Sequence, residues 1–169
     1  MKLRDLTVSD LMTRNAAAVS ASSTLSDAAK LMWDNDCGVV PVVEDGGGRV
    51  IGVITDRDIC MATWSRNLAP SALIARDAMS RDLVYCSGDD TLAAAETTMR
   101  TSQVRRLPVL DSESRLIGIL SITDITRVAG QRSGIRPGFD VSPEHVIDTL
   151  TTIANGQQLA AQRQQTREW

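Results

Sequence analysis

Histidine is almost absent from this sequence, and the single one, His145, lies in "SPEHVIDTL", outside residues 5–129 where every repeated motif falls. That scarcity excludes Ser-His-Asp and Cys-His arrangements and multi-histidine metal centres from the repeated region. No Walker loop and no GxGxxG is present, and "DGGGR" (Asp45–Arg49) reads as a tight hairpin turn. Cysteine is scarce too. Cys37, Cys60 and Cys86 are odd in number and widely spaced, which suits reduced core thiols better than a disulfide framework or a zinc site. No excess of basic residues exists: 18 Lys and Arg against 21 Asp and Glu leave a net charge of −3, which argues against a protein that holds nucleic acid by its phosphates. No apolar run approaches the roughly 20 residues that cross a bilayer. "MKLRDLTVSDLM" carries acids where a signal peptide has its apolar core, so a cytoplasmic chain without membrane contact is expected. With 169 residues, 43% of them hydrophobic, the chain can bury one ordinary core or two small ones.

What is present is a duplication. "VSDLMTRN" (Val8–Asn15) aligns with "ARDAMSRD" (Ala75–Asp82), "TLSDAAKLM" (Thr24–Met32) with "TLAAAETTM" (Thr91–Met99), and "VVPVVE" (Val39–Glu44) with "RLPVLD" (Arg106–Asp111). Val8 to Ala75, Thr24 to Thr91 and Pro41 to Pro108 are each 67 residues apart, whereas Gly52 to Gly118 is 66. The lost residue falls in a polar turn, where length changes cost least.

Each copy has a readable order of elements. "AAVSAS" and "LVYCS" read as short strands. Ser23 and Asp90 precede helical stretches in which Leu25, Ala28, Ala29 and Met32, or Leu92, Ala95 and Met99, recur at helical spacing. "GVVPVVE" with "RVIGVIT", and "RLPVLD" with "RLIGILS", each form a hairpin, and Thr55 or Ser121 then opens a second helix. The unit is β-α-β-β-α, twice. One such unit is near the lower size limit for an independent core, so the two are expected to pack as one module. After Gly130 a turn-rich linker leads to a helix from Pro143 to about Ile153 or beyond, with Val146, Leu150, Ile153 and Leu159 as its apolar stripe. That stripe can pack on its own module, across a dimer or on an effector.

The phrases "GVITDRDI" (Gly52–Ile59) and "GILSITDI" (Gly118–Ile125) carry the chemistry. Read alone, a hydroxyl residue followed three positions later by Asp at a helix start is a capping box. The same geometry also offers free amides, a positive dipole end and a hydroxyl to a phosphate, and a carboxylate to ribose hydroxyls. Asp56 and Asp58, two apart on a helix, point in different directions and do not form an acid-base pair.

The duplicated pattern "DLMT…TLSDAAKLM…GVVPVVE…GVITDRDI" and "DAMS…TLAAAETTM…RRLPVLD…GILSITDI" resembles a pair of CBS domains, the cystathionine-β-synthase type repeat, over residues 5–129. The resemblance implies an α/β (α+β) fold of two β-α-β-β-α repeats, residues 1–66 and 67–129, related by a pseudo-twofold axis, with residues 130–169 as linker and C-terminal helix. It implies adenosyl ligands (AMP, ADP, ATP, NAD or S-adenosylmethionine) in clefts shared between the repeats, and a regulatory or sensory role without catalytic residues, metal or catalytic cofactor. One cleft would combine Thr13, Ala17, Val19, Cys37, Gly38 and Val40 with Ser121, Thr123 and Asp124. The other would combine Ser80, Val84, Val104 and Leu107 with Thr55, Arg57 and Asp58. Arg57 stands where the second copy has Thr123; it can pair with a phosphate or remain a solvated helix arginine. Arg105 and Arg106 have the same two readings at the cleft mouth. A homodimer and an effector protein are the implied partners. The alternative is a structural or accessory subunit of a separate enzyme or transporter, with vacant clefts.

Overall fold

A computed structural model describes residues 6–46, 48–130 and 143–165. In chain order it has helix α1 (Val8–Leu11), strands β1 (Thr13–Arg14) and β2 (Val19–Ser20), helix α2 (Leu25–Asp34), strands β3 (Val39–Val43) and β4 (Val50–Thr55) and helix α3 (Asp56–Arg66). A 3₁₀ turn (Pro70–Ala72) and helix α4 (Ala75–Ala78) follow, then β5 (Cys86–Ser87), α5 (Leu92–Ser102), β6 (Arg106–Leu110), β7 (Leu116–Ser121), α6 (Ile122–Gly130) and α7 (Pro143–Gln165). The expected order appears twice, as β2-α2-β3-β4-α3 and β5-α5-β6-β7-α6. The linker at 131–142 and the last four residues lie outside the described residues.

Local chemistry sets the boundaries. The α2 cap is Thr24, one residue later than expected: its hydroxyl oxygen accepts from the Asp27 amide, and Asp27 accepts from the Thr24 amide and hydroxyl at 2.9 and 2.7 Å. On α5, Thr91 in place of Asp90 accepts from the Ala94 amide at 3.1 Å. A hydroxyl one residue closer reaches the third helical amide without bending the chain. Asn67 and Gln103 end α3 and α5 in the left-handed conformation. β3 is central in the sheet β2-β3-β4, parallel to β2 and antiparallel to β4. A strand flanked on both sides explains its unbroken "VVPVV". Pro41 faces Val53, whose amide and carbonyl both bond Ser80 instead. β4 therefore asks no donor of the proline.

The chain folds as two compact units that are cut differently from the sequence copies. One holds Asn15–Leu83 with Leu110–Ile117; the other holds Val84–Val109 with the segment ending at Arg14 and the segment beginning at Gly118. The first unit's core gathers Val19, Leu25, Ala28, Met32, Val40, Val42, Ile54 and Ile59. In the other unit the buried side chains include Val8, Leu92, Met99, Leu107, Val109, Leu120 and Ile125. Its sheet runs β1-β7-β6-β5, with Thr13 opposite Ile119 and Arg14 opposite Gly118. The leading motif of each copy thus serves the last strand of the other: "DLMT" pairs with β7, and Ser80 of "DAMS" bridges Val53 on β4. Both crossings need glycine. A Cβ at Gly52 would meet the Ser80 carbonyl oxygen at 2.4 Å, and one at Gly118 would meet the Thr13 carbonyl oxygen at 2.7 Å.

α7 packs on α5 and α6. Its inward stripe is Val146, Thr149 and Ile153, all buried, while Leu150 remains 39% exposed. The expected stripe is corrected at that position because the hydroxyl of Thr149, three residues after Val146, finds a partner on α5: it donates to the Glu96 carboxyl group, which is itself 5% exposed. The Leu159 side chain lies outside the described residues. Burial pushes the Glu96 carboxyl up, against the pull of Arg100 and His145.

Two outcomes are expected. Gly52→Ala forces backbone apart and should cost about 1–3 kcal/mol in urea unfolding; an unchanged midpoint would contradict the crossing. Glu96, with its folded pKa raised, holds a proton that the unfolded chain releases, so its contribution falls as pH rises above the ordinary carboxyl range. Glu96→Gln keeps an acceptor for Thr149 and removes the charge. Its stability relative to wild type should therefore increase from pH 4.5 to pH 7.5; a pH-independent difference would show that Glu96 does not titrate in this range.

Candidate functional site

Each copy closes with the same local device. β4 ends at Thr55, whose hydroxyl and amide donate to Asp58 Oδ2 at 2.7 and 2.8 Å, while the Asp58 amide donates back to Thr55 Oγ1 at 3.1 Å. Ser121 and Asp124 repeat the three bonds at 2.6, 2.9 and 3.2 Å. The capping-box reading of the phrase is therefore realised in both copies. Its effect is to hold a hydroxyl and a carboxylate in fixed rotamers at a helix start, where the first amides and the positive dipole end lie. Only Oδ2 of each carboxylate is used by the cap. Asp124 is 9% exposed, and its Oδ1 lies 3.4 Å from Arg127 Nη1 one turn further on.

The strand-entry loops are tied to these helix starts. The Asp56 amide donates to the Gly38 carbonyl at 3.2 Å, and the Ile122 amide to the Arg105 carbonyl at 2.9 Å. Gly38 leaves room for its neighbour: a Cβ there would stand 3.0 Å from Asp56 Oδ2. Asp56 and Asp58 do diverge, the former accepting from the Arg57 amide at 2.7 Å while the latter turns to Thr55.

The structure brings some of the expected residues together within a unit. Thr13, exposed on β1, is opposite Ile119, two residues before Ser121; Ser80, also exposed, is opposite Val53, two residues before Thr55. Each unit therefore combines a leading-segment hydroxyl with one hydroxyl-carboxylate phrase. Ala17, Val84 and Val104 are half-buried, and Arg57, Thr123, Arg105 and Arg106 are exposed. Val19, Val40 and Leu107 are 5%, 1% and 0% exposed, so their side chains belong to the cores and only their backbone can face a ligand.

Cys37 and Gly38 line an open cleft of about 490 Å³ on the first unit, beside Ala29, Met32, Trp33, Asp36, Asp56, Ile59 and Cys60. Thr55 and Asp58 are not among its lining. Sequence reasoning passed over this ground, although a signal existed: α2 carries Trp33 on its polar side where the second copy has Arg100. All three cysteines are free thiols. Burial, reinforced by Asp90, pushes the Cys86 thiol up to about 12, which leaves it unreactive at neutral pH. Cys37 is half-buried against the core, but Cys60 is exposed, contrary to the expected core thiol, because it follows the buried Ile59 by one residue and so turns outward. Among the described residues no group of three or more His, Cys, Asp or Glu could hold a metal ion, and no helix is long and apolar enough to cross a membrane.

Comparison with known proteins agrees with the repeated architecture. The family model described as "CBS domain" matches residues 8–64 and again 75–130. The CBS domain-containing protein YhcV of Bacillus subtilis is 36% identical over 118 residues, 70% of this chain and 81% of that protein. A homoserine O-acetyltransferase of Methanococcoides burtonii is 31% identical over 128 residues, 76% of this chain but 25% of the relative, so the likeness touches a minor part of that protein. Among solved structures, that of CBSX2 in complex with AMP is similar with a TM-score of 0.63 at 27% identity, covering 74% of this chain and 96% of that one. With both copies matched, and with the element order and the paired phrases in place, the chain belongs to the CBS-domain family and carries two CBS domains.

Proposed function

We propose that the chain is a cytoplasmic regulatory module that binds an adenosyl nucleotide and signals by a shift between two arrangements with different affinity for it. On this reading residues 1–66 and 67–129 are the working repeats, related by a pseudo-twofold axis, and 130–169 are an appended helical segment. Asp58 and Asp124 accept ribose hydroxyls through the oxygen that the cap leaves over. Thr55, Ser121, Thr123, Thr13 and Ser80 meet phosphate, with Arg57, Arg105 and Arg106 adding positive charge. Ala17, Val19, Cys37, Gly38, Val40, Val84, Val104 and Leu107 supply backbone edges and apolar walls for adenine.

One internal comparison carries the reading. α2 begins with a full capping box, Thr24 with Asp27, yet its counterpart α5 has Ala94 in the aspartate position and still forms. A carboxylate needed only as a cap is thus dispensable in one copy. The Asp58 and Asp124 carboxylates are kept in both. The AMP complex of CBSX2, a structure of the same fold, supports AMP as the first ligand to try.

Calorimetric titration with AMP tests this directly. Asp124→Ala and Asp58→Ala each remove charge-assisted hydrogen bonds worth on the order of 1.5–3 kcal/mol, so affinity at the altered site should fall at least tenfold. Asp27→Ala is the control: it removes an equivalent cap and should lower stability by about 1 kcal/mol while leaving titration unchanged. If all three variants bind AMP like wild type, the phrase is a cap alone and the structural or accessory alternative takes its place. The repurified chain incubated with ATP should release no phosphate above buffer. Sustained turnover would overturn the non-catalytic reading.

A further inference from the structure

The two hydroxyl-carboxylate phrases are built alike, but their carboxylates do not stand alike. In each, the cap engages Oδ2: Ser121 donates its amide and hydroxyl to Asp124, and Thr55 donates the same pair to Asp58. The other oxygen differs. Asp124 Oδ1 lies 3.4 Å from Arg127 Nη1, an i,i+3 pair in which the aspartate side chain is only 12% exposed. Among the described residues the Asp58 carboxylate bonds through Oδ2 alone and enters no ion pair. The cause is in the sequence. Thr55, Asp58 and Met61 correspond to Ser121, Asp124 and Arg127, each 66 residues later, so the position one turn past the aspartate is a thioether in one copy and a guanidinium in the other. Side chains on a helix lean toward its N-terminus, which brings Arg127 of α6 back over the helix start. Met61, 49% exposed on α3, has no charge to offer a carboxylate.

We infer that Arg127 is a positioning residue that holds the Asp124 carboxylate shut against a ribose, so that the Asp58 site fills first and the Asp124 site only as the guanidinium gives way. This rests on the nucleotide reading and adds to it an order of filling. A carboxylate oxygen has two lone pairs, and Oδ2 already accepts two bonds from the cap, so both hydroxyls of a ribose must turn to Oδ1. At Asp58 both lone pairs of Oδ1 are open to the diol. At Asp124 one faces Nη1, and a ribose must displace the arginine or bind through a single hydroxyl. Between two exposed groups such a pair would be a slight obstacle. Here one partner is nearly buried, where water screens less and an uncovered charge costs more. The same cost opposes the other use of Arg127, as a phosphate ligand, because a guanidinium that leaves for a phosphate uncovers the buried carboxylate. The two sites therefore fill over different ranges of nucleotide concentration, and the response of the module is graded.

Calorimetric titration with AMP reads each site alone when the other is disabled. In Asp58→Ala, which leaves the Asp124 site, adding Arg127→Met should tighten AMP about two- to fivefold, the worth of one partly screened pair. In Asp124→Ala, which leaves the Asp58 site, Met61→Arg should weaken AMP by a similar factor, and Arg127→Met should change nothing. A purely structural role for Arg127 is separated by 2′,3′-dideoxy-AMP, which has no ribose hydroxyl to compete with the guanidinium: its affinity should not respond to Arg127→Met in either background. AMP binding that is unchanged or weakened when Arg127→Met is added to Asp58→Ala overturns the inference and leaves the nucleotide reading standing. A wild type that binds no AMP, or AMP binding that survives both aspartate-to-alanine changes, overturns the nucleotide reading and this inference together.

Discussion

At Gly52 and Gly118 a second backbone lies where a Cβ would otherwise stand, and the rest of the architecture depends on that approach. It lets Met79–Ser80 and Met12–Thr13 lie along the last strand of a unit formed mainly by the other copy. A short chain gains in two ways. Each unit acquires an extra sheet edge partner, which blunts an otherwise open strand. The exchange also makes each copy incomplete alone, so two 60-residue repeats that would each be marginal become mutually required. The same exchange sets Thr13 opposite Ile119 and Ser80 opposite Val53, in each unit two residues before the strand end at Ser121 or Thr55. Architecture and candidate site thus share one cause.

The cap and the proposed ligand contact are compatible uses of one carboxylate. A free aspartate at a surface samples several rotamers and loses entropy when a ribose fixes it. Asp58 and Asp124 have already been fixed by an amide and a hydroxyl through Oδ2, so on the proposed reading the remaining oxygen, which in Asp124 faces Arg127, is held in one direction before a ligand arrives. That is preorganisation, and it lowers the entropic cost of binding.

Much of this was legible in the sequence because duplication supplies its own control. A motif found once is weak; "GVITDRDI" and "GILSITDI" at matched positions establish the element order, the hairpins and the hydroxyl-carboxylate pair. What escaped was of three physical kinds. Strands of two residues and helices of four, such as β1 and α4, are too short for any periodicity to register, so the exchange of leading segments between units was invisible. Caps moved by one residue, from Ser23 to Thr24 and from Asp90 to Thr91, because either hydroxyl or carboxylate is an acceptable cap until geometry selects one. Polar residues that satisfy one another inside an interface defeat a hydrophobic stripe: Thr149 with Glu96 took the place expected of Leu150. The placement of Val19, Val40 and Leu107 in the cores follows from the alternation of their strands and restricts any ligand contact there to backbone.

The differences between the copies at the helix seat, where α7 packs on α5 and α6, are as informative as their likeness elsewhere. The hydroxyl, the carboxylate, the glycine of the last strand and the proline of the strand before it are common to both. Ala29 against Glu96, Trp33 against Arg100 and Asp56 against Ile122 are not. In the second copy these positions are polar where α7 brings Thr149 and Asp148, and apolar at Ile122, which is buried. In the first they are an alanine, a bare indole and a solvated carboxylate around an open cleft. At this seat the two faces therefore differ in character: the second is matched to a helix of the same chain, and the first is an open cleft.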